Sequence, residues 1–340
     1  MKILIVEVNW LGDVLFSTPA IKALRKKFPD SHIACLIVPR VREILAHNPN
    51  INELIINDEK GLHKGLSGNM KLARELKEKK FDMAVLFHRS FTRALITYWA
   101  GIPQRIGYST WKRSLLLTQA IPMPKKDSLH RVDYYLTIVE PLGCDTDDRF
   151  YEFFTSEKDN TFIENLLQQE AISAGDFTVC LNPGGNWLPK RWPKEHFARL
   201  ADRLIAEYQA KVIFSGSNED VPLIKEIASL MKHPPIITAG KTSVTQSACL
   251  FKKAKVVISA DSGPLHIAAA VGANIIALFG PTSHLITGPL GRGAIKILHK
   301  DIIGCCIPCY DTNCDDNRCM RELSVEEVFS AVRECIPKDK

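Results

Sequence analysis

Short apolar runs rich in β-branched residues alternate with longer amphipathic stretches along this 340-residue chain, and the alternation starts afresh near residue 178. Strands that arrive one at a time between helices pair in parallel, and the helices cover both faces of the sheet. In the first half such runs fall at residues 3–8, 32–38, 54–56, 83–87 and 105–107; in the second they fall at 178–181, 211–215, 236–238, 256–259 and 274–279. Two doubly wound, Rossmann-like α/β domains follow. The polar stretch 144–176 carries no strand pattern, so the domains are expected at residues 1–155 and 156–340. In such sheets ligands bind beyond the carboxyl ends of the strands, which leaves a cleft where two of them face each other.

Composition narrows the function classes. Hydrophobic residues make up 46% of the chain and charged residues 24%, the proportions of a soluble globular protein. The apolar start is broken by Glu7 and Asp13, unlike a secretory signal, and the longest nearly apolar run, 267–279, is too short for a bilayer. A cytoplasmic protein is expected. Its charge is uneven: residues 1–150 hold 23 Lys and Arg against 16 Asp and Glu, whereas 151–340 hold 21 against 22. A basic surface can serve solubility alone. It can also receive something anionic, such as a phosphorylated lipid headgroup at the inner face of the inner membrane, with Arg40, Arg42, Arg89, Arg93, Arg105, Lys112 and Arg113 near strand ends. No nucleic-acid-binding module accompanies the charge, so nucleic acid is not an expected partner.

Four strand ends carry residues with chemistry. Gly12-Asp13 follows the first strand, where a carboxylate can accept a proton from an attacking hydroxyl or simply cap the next helix. In the second half, Pro183-Gly184-Gly185 leads to Lys190-Arg191-Trp192-Pro193, a loop that allows close backbone approach and supplies cations for phosphate. Ser217-Asn218-Glu219 ends another strand with a carboxylate suited to a ribose, or with a capping pair. Finally Asp261-Ser262-Gly263-Pro264-Leu265-His266 opens onto a helix whose free N–H groups and partial positive charge suit a diphosphate, with Asp261 near sugar hydroxyls. Capping by Asp261 or Ser262 and a structural His266 are the plainer alternatives. No Walker loop and no G-x-G-x-x-G fingerprint occurs.

Taken together these segments resemble glycosyltransferase family 9, the bacterial lipopolysaccharide heptosyltransferases. The carriers are Gly12-Asp13, Ser90-Phe91, Ala100-Gly101-Ile102-Pro103 with Arg105 and Gly107, Pro183-Gly184, Lys190-Arg191-Trp192-Pro193, and Asp261-Ser262-Gly263 with His266. The Lys-Arg-Trp-Pro form and the stretch 90–107 look most like the heptosyltransferase II branch, which adds the second inner-core heptose; Pro264-Leu265 departs from the longer apolar pair frequent there. The resemblance implies a GT-B fold, with an N-terminal acceptor domain and a C-terminal domain that binds ADP-L-glycero-D-manno-heptose. It implies an inverting transfer to the lipopolysaccharide core, heptosyl-Kdo-lipid A, without a cofactor or metal. Asp13 would be the general base, Lys190 would contact the diphosphate, Glu219 the ribose, and Asp261, Ser262, Gly263 and His266 the heptose and phosphate side of the donor. A sugar-nucleotide epimerase of similar architecture and a binding protein without turnover are the competing readings.

Five of ten cysteines lie in one segment, Cys305, Cys306, Cys309, Cys314 and Cys319. The spacing from Cys306 could hold zinc or an iron–sulfur cluster, yet it matches no standard finger, and a loop of reduced thiols is the plainer alternative, with a disulfide the least expected. Cys35, Cys144, Cys180 and Cys249 sit in or beside apolar segments and are expected in the core.

Overall fold

Six parallel strands form the first sheet: β1 (Lys2–Val6), β2 (His32–Ile37), β3 (Glu53–Ile56), β4 (Met83–Leu86), β5 (Gln104–Tyr108) and β6 (Gln119–Ile121). They lie in the order β3-β2-β1-β4-β5-β6. The second sheet repeats the plan with β7 (Thr178–Asn182), β8 (Lys211–Phe214), β9 (Ile236–Ile237), β10 (Val256–Ala260), β11 (Ile275–Phe279) and β12 (Ile295–His299), in the order β12-β11-β10-β7-β8-β9. The computed structural model describes residues 1–335, and the chain divides between Phe154 and Thr155 into two compact units, one sheet in each.

The central strands are almost continuously apolar because helices cover both of their faces. Ile3, Leu4 and Ile5 of β1 and Val256, Val257 and Ile258 of β10 are fully buried. The outermost strands on one side of each sheet, β6 and β12, were not legible in sequence for the opposite reason. Gln119 and Ala120 are exposed, and no residue of β12 is fully buried, so neither strand carries the continuous apolar run of a sheet interior.

Each sheet reverses its strand order once, between β1 and β4 in the first unit and between β7 and β10 in the second. The loops leaving those strands diverge to opposite sides, so a crevice opens at their carboxyl ends. In the first unit residues 7–13 lie at this crevice, and in the second unit residues 182–191 and 261–266 lie at the equivalent crevice of its own sheet.

Gly107 answers to packing rather than to a ligand. It lies on β5 opposite Leu86, and a Cβ there would stand 2.9 Å from the Leu86 carbonyl oxygen and 2.9 Å from the Arg113 guanidinium. Gly107→Ala should therefore destabilise the N-terminal unit by about 1–3 kcal/mol through overpacking. Denaturant unfolding monitors this, and an unchanged midpoint would overturn the packing account.

Candidate functional site

In the second unit the loops after β7 and β10 are joined by an ion pair. Lys190 Nζ lies 2.7 Å from Asp261 Oδ2 and 3.2 Å from the Asp261 carbonyl oxygen, with the Trp187 ring 4.6 Å away. Thr282 Oγ1 donates to the same Asp261 Oδ2 at 2.7 Å, and His266 Nε2 lies 3.4 Å from Oδ1. The Asp261 carboxylate is only 6% exposed. Burial opposes its ionisation, but the His266 imidazole and the Lys190 charge outweigh burial and hold the carboxyl well below the usual carboxylate range. Neither Asp261 nor Ser262 caps the helix Gly263–Ala270 through its side chain: Ser262 is the N-cap residue without a side-chain bond, and its Oγ sits 3.1 Å from Ser259 Oγ. The first-turn N–H groups at Gly263 and beyond are thus not consumed by a side-chain cap.

The neighbouring loop is built by close approach. A Cβ on Gly184 would fall 2.3 Å from Asp220 Oδ1, so only glycine lets the loop after β7 run beside the turn Asn218–Asp220. Asp220 in turn accepts from the Ser217 N–H at 2.8 Å and the Ser217 hydroxyl at 2.7 Å. Glu219 is left exposed at the carboxyl end of β8. Arg191, read as a phosphate cation, does something else: its Nε and Nη2 donate to the Gly185 carbonyl oxygen at 2.9 and 2.7 Å and close the loop on itself.

The cysteine-rich segment packs behind these loops. The N–H groups of Cys309 and Tyr310 donate to the Pro281 carbonyl oxygen, next to Thr282, at 3.1 and 2.9 Å. Asn317 Nδ2 donates to the Arg191 carbonyl oxygen at 3.1 Å, and Trp192 Nε1 to that of Leu323 at 2.8 Å. Sequence reading missed Thr282 and Asn317, which lie 21 and 126 positions from their partners. All ten cysteines are free, and Cys35, Cys144, Cys180 and Cys249 are buried as expected. Burial first, then the neighbouring thiols of Cys305, Cys309 and Cys314, push the Cys319 thiol up to about 11. Among the described residues no three His, Cys, Asp or Glu side chains stand where they could hold a metal ion together.

In the first unit the helix Leu11–Lys27 begins two residues before Asp13, so Asp13 lies in its first turn and Trp10 takes the N-cap position. The Tyr135 hydroxyl reaches Asp13 Oδ1 at 3.4 Å. Beneath it lies Glu7, fully enclosed, which sequence reading took only as a break in an apolar run. Ser17 Oγ is 2.9 Å from Glu7 Oε1 and 2.8 Å from the Val14 carbonyl oxygen, and the Val8 N–H donates to Glu7 Oε2 at 3.1 Å. Desolvation pushes the Glu7 carboxyl up to about 8 against the bonds from Ser17 and Val8, and the Asp13 charge adds to the rise. A hydroxyl has one hydrogen. When Ser17 gives it to Val14, a protonated Glu7 can donate to Ser17 in return.

Two arginines read as acceptor contacts are structural. Arg113 is buried and donates to the carbonyl oxygens of Tyr108 and His88, the latter at 3.0 Å. Arg93 is buried and pairs with Glu59 at 2.8 Å. Burial, then the charges of Arg93, Arg113 and Arg89, push the His88 imidazole down to about 4. Arg40 is exposed, stacks 4.4 Å from the Trp10 ring and donates to the Asn9 carbonyl oxygen at 2.7 Å.

Two Rossmann-like sheets, each with such a crevice where its strand order reverses, are the elements of a GT-B fold. The family model described as "Glycosyltransferase family 9 (heptosyltransferase)" matches residues 69–315, and the chain belongs to that family. The lipooligosaccharide heptosyltransferase 2 of Haemophilus influenzae is 30% identical to it over 89% of this chain and 90% of that one. A family 9 glycosyltransferase from Veillonella parvula superposes with a TM-score of 0.89 at 26% identity, covering 98% of this chain and 96% of the other. The ADP-heptose lipopolysaccharide heptosyltransferase II of Escherichia coli gives 0.81 at 24% identity, covering 98% of each chain, a likeness of fold.

Glu7 makes stability depend on pH. It keeps its proton to about pH 8 when folded, against 4.5 as its ordinary value, so the folded state binds more protons between those limits and loses stability as pH rises through them. The slope is at most ~1.4 kcal/mol per pH unit. Glu7→Gln keeps the shape and neutrality of the acid, so it should flatten the decline in denaturant midpoint as pH rises from about 5 to about 8. Equal declines in both proteins would show that Glu7 carries no such proton.

Proposed function

We propose that the chain is an inverting heptosyltransferase that moves L-glycero-D-manno-heptose from ADP-heptose to the lipopolysaccharide inner core, with heptosyl-Kdo-lipid A as acceptor. The observation that carries the reading is the Lys190–Asp261 pair at the strand-order reversal of the second sheet, beside an N-terminus that no side chain caps, in a member of this family. A lipid-borne acceptor makes the enzyme a peripheral partner of the inner membrane from the cytoplasmic side. Among the described residues no helix is long and apolar enough to cross a membrane.

Residue chemistry supports a division of labour. Asp13 accepts the proton of the acceptor hydroxyl as that oxygen forms its bond to the anomeric carbon of the heptose. The bond from that carbon to the diphosphate oxygen breaks on the opposite face, which inverts the centre, and its electron pair leaves with ADP. Lys190 and the N–H groups at Gly263 oppose the charge that gathers on the diphosphate. Asp261 holds Lys190 at the reacting end of the donor, with Ser262 and His266 toward the heptose and phosphate. Glu219, exposed at the end of β8, takes the ribose hydroxyls.

Asp13→Asn keeps the side chain's size but removes the proton acceptor. Transfer should fall roughly 100- to 10,000-fold while ADP binding is kept. Product mass spectrometry with ADP-heptose and heptosyl-Kdo-lipid A reads this, and wild-type turnover by the variant would overturn the assignment of the base.

Lys190→Ala should lower kcat by about 100-fold or more, because a cation is lost where negative charge develops. It also strips a nearly buried Asp261 of its pair, at a cost of about 3–5 kcal/mol in stability. Lys190→Ala,Asp261→Asn removes that second effect and should stay slow. Recovery of wild-type kcat in the double variant would make Lys190 an element of stability alone.

A further inference from the structure

One surface of the N-terminal unit exposes a group of large apolar side chains. The helix Phe91–Trp99 buries Arg93, Ala94, Ile96 and Thr97 on its inner side. Its outer side carries Phe91, Leu95, Tyr98 and Trp99, and the spacing of four, seven and eight residues puts all four on one stripe. Phe91 is 45% exposed and Tyr98 52%. The 3-10 turn Trp111–Leu116 packs beside this helix and exposes Trp111 at 85% and Leu115 at 86%. Single exposed apolar residues need no explanation, but a contiguous group of this size does.

Charge tells which partner the surface fits. Residues 83–126 contain seven Lys and Arg and no Asp or Glu, which equals the entire basic surplus of the first 150 residues. Arg93 and Arg113 are buried, but Arg89, Lys112, Lys125 and Lys126 are exposed. Two cations lie against the aromatic rings themselves: Lys112 Nζ is 4.5 Å from the Trp111 ring centre and the Arg105 guanidinium 5.4 Å from that of Tyr98. A second copy of the chain would bring like charge to like charge, and a neutral apolar partner would offer no counter-charge to the exposed Arg89, Lys112, Lys125 and Lys126. Rings with amphipathic edges, interleaved with lysine and arginine, suit the headgroup layer of a bilayer. Arg113 anchors the turn to the carbonyl oxygen of His88, at the same end of the sheet as Asp13.

We propose that Phe91, Tyr98, Trp99, Trp111 and Leu115, with Lys112 and its exposed basic neighbours, form a docking face for the headgroup region of a bilayer containing anionic lipid. The inference deepens the reading of a lipid-borne acceptor, because the face would seat the acceptor-binding unit where that lipid is presented.

The full-length protein should sediment with vesicles of phosphatidylcholine and phosphatidylglycerol, much less with phosphatidylcholine alone, and less as salt rises. Trp111→Ser,Leu115→Ser should weaken vesicle binding about tenfold or more, and Lys125→Glu,Lys126→Glu should weaken it with anionic vesicles in particular. Both sites are exposed, so circular dichroism and transfer to a deacylated, water-soluble acceptor should match wild type. Undiminished vesicle affinity in both double variants would overturn the docking face, as would equal binding to neutral vesicles. Lipid-free self-association of the wild type that the serine pair abolishes would overturn it in favour of a contact between copies. Wild-type protein that binds anionic vesicles but transfers heptose to no acceptor supports the face and refutes the heptosyltransferase reading, so the two fail separately.

Discussion

The salt bridge between Lys190 and Asp261 ties together the two loops that leave the second sheet where its strand order reverses. Those loops would otherwise diverge to opposite sides of the sheet. A carboxylate so nearly buried stays ionised only because a cation, an imidazole and a hydroxyl surround it, and that requirement fixes the positions of Lys190, His266 and Thr282 together. The geometry then propagates outward. Thr282 follows Pro281, whose carbonyl oxygen is held by the cysteine-rich segment, and Arg191 follows Lys190, with its own carbonyl oxygen held by Asn317. The cysteine-rich segment thus supports both loops from behind through backbone groups, irrespective of what its thiols bind.

The first unit meets a related demand with opposite means. Glu7 is enclosed without a cation, so it retains its proton instead of an ion pair, and Ser17 and the Val8 N–H satisfy its oxygens. Two carboxyl groups stand near each other at the end of β1, one neutral and enclosed, the other, Asp13, in the first turn of a helix and within reach of the Tyr135 hydroxyl. A neutral Glu7 spares Asp13 a second negative charge beside it. The buried arginines contribute similarly: Arg113 fastens the ends of β4 and β5, Arg93 pairs with Glu59 beyond the end of β3, and both oppose protonation of His88.

The amino-acid sequence by itself determined the two sheets, because central parallel strands must be apolar on both faces and such runs stand out in one dimension. It also marked Asp13, the loop 182–191, Glu219 and the stretch 261–266 as strand-end residues, since each follows such a run directly. The strands β6 and β12 escaped it because an outermost strand is half solvated and has no reason to be continuously apolar. What only the tertiary structure decided is which side chains meet. Asp261 is a plausible helix cap in one dimension, and only the approach of Lys190, 71 positions away, makes it half of an ion pair. Arg191 and Arg113 look like free cations until the fold brings carbonyl oxygens to them, and Glu7 looks like an accident until burial changes its protonation. Hydrophobic periodicity is local and therefore legible; hydrogen-bond partnership and desolvation depend on chain segments that only folding brings together.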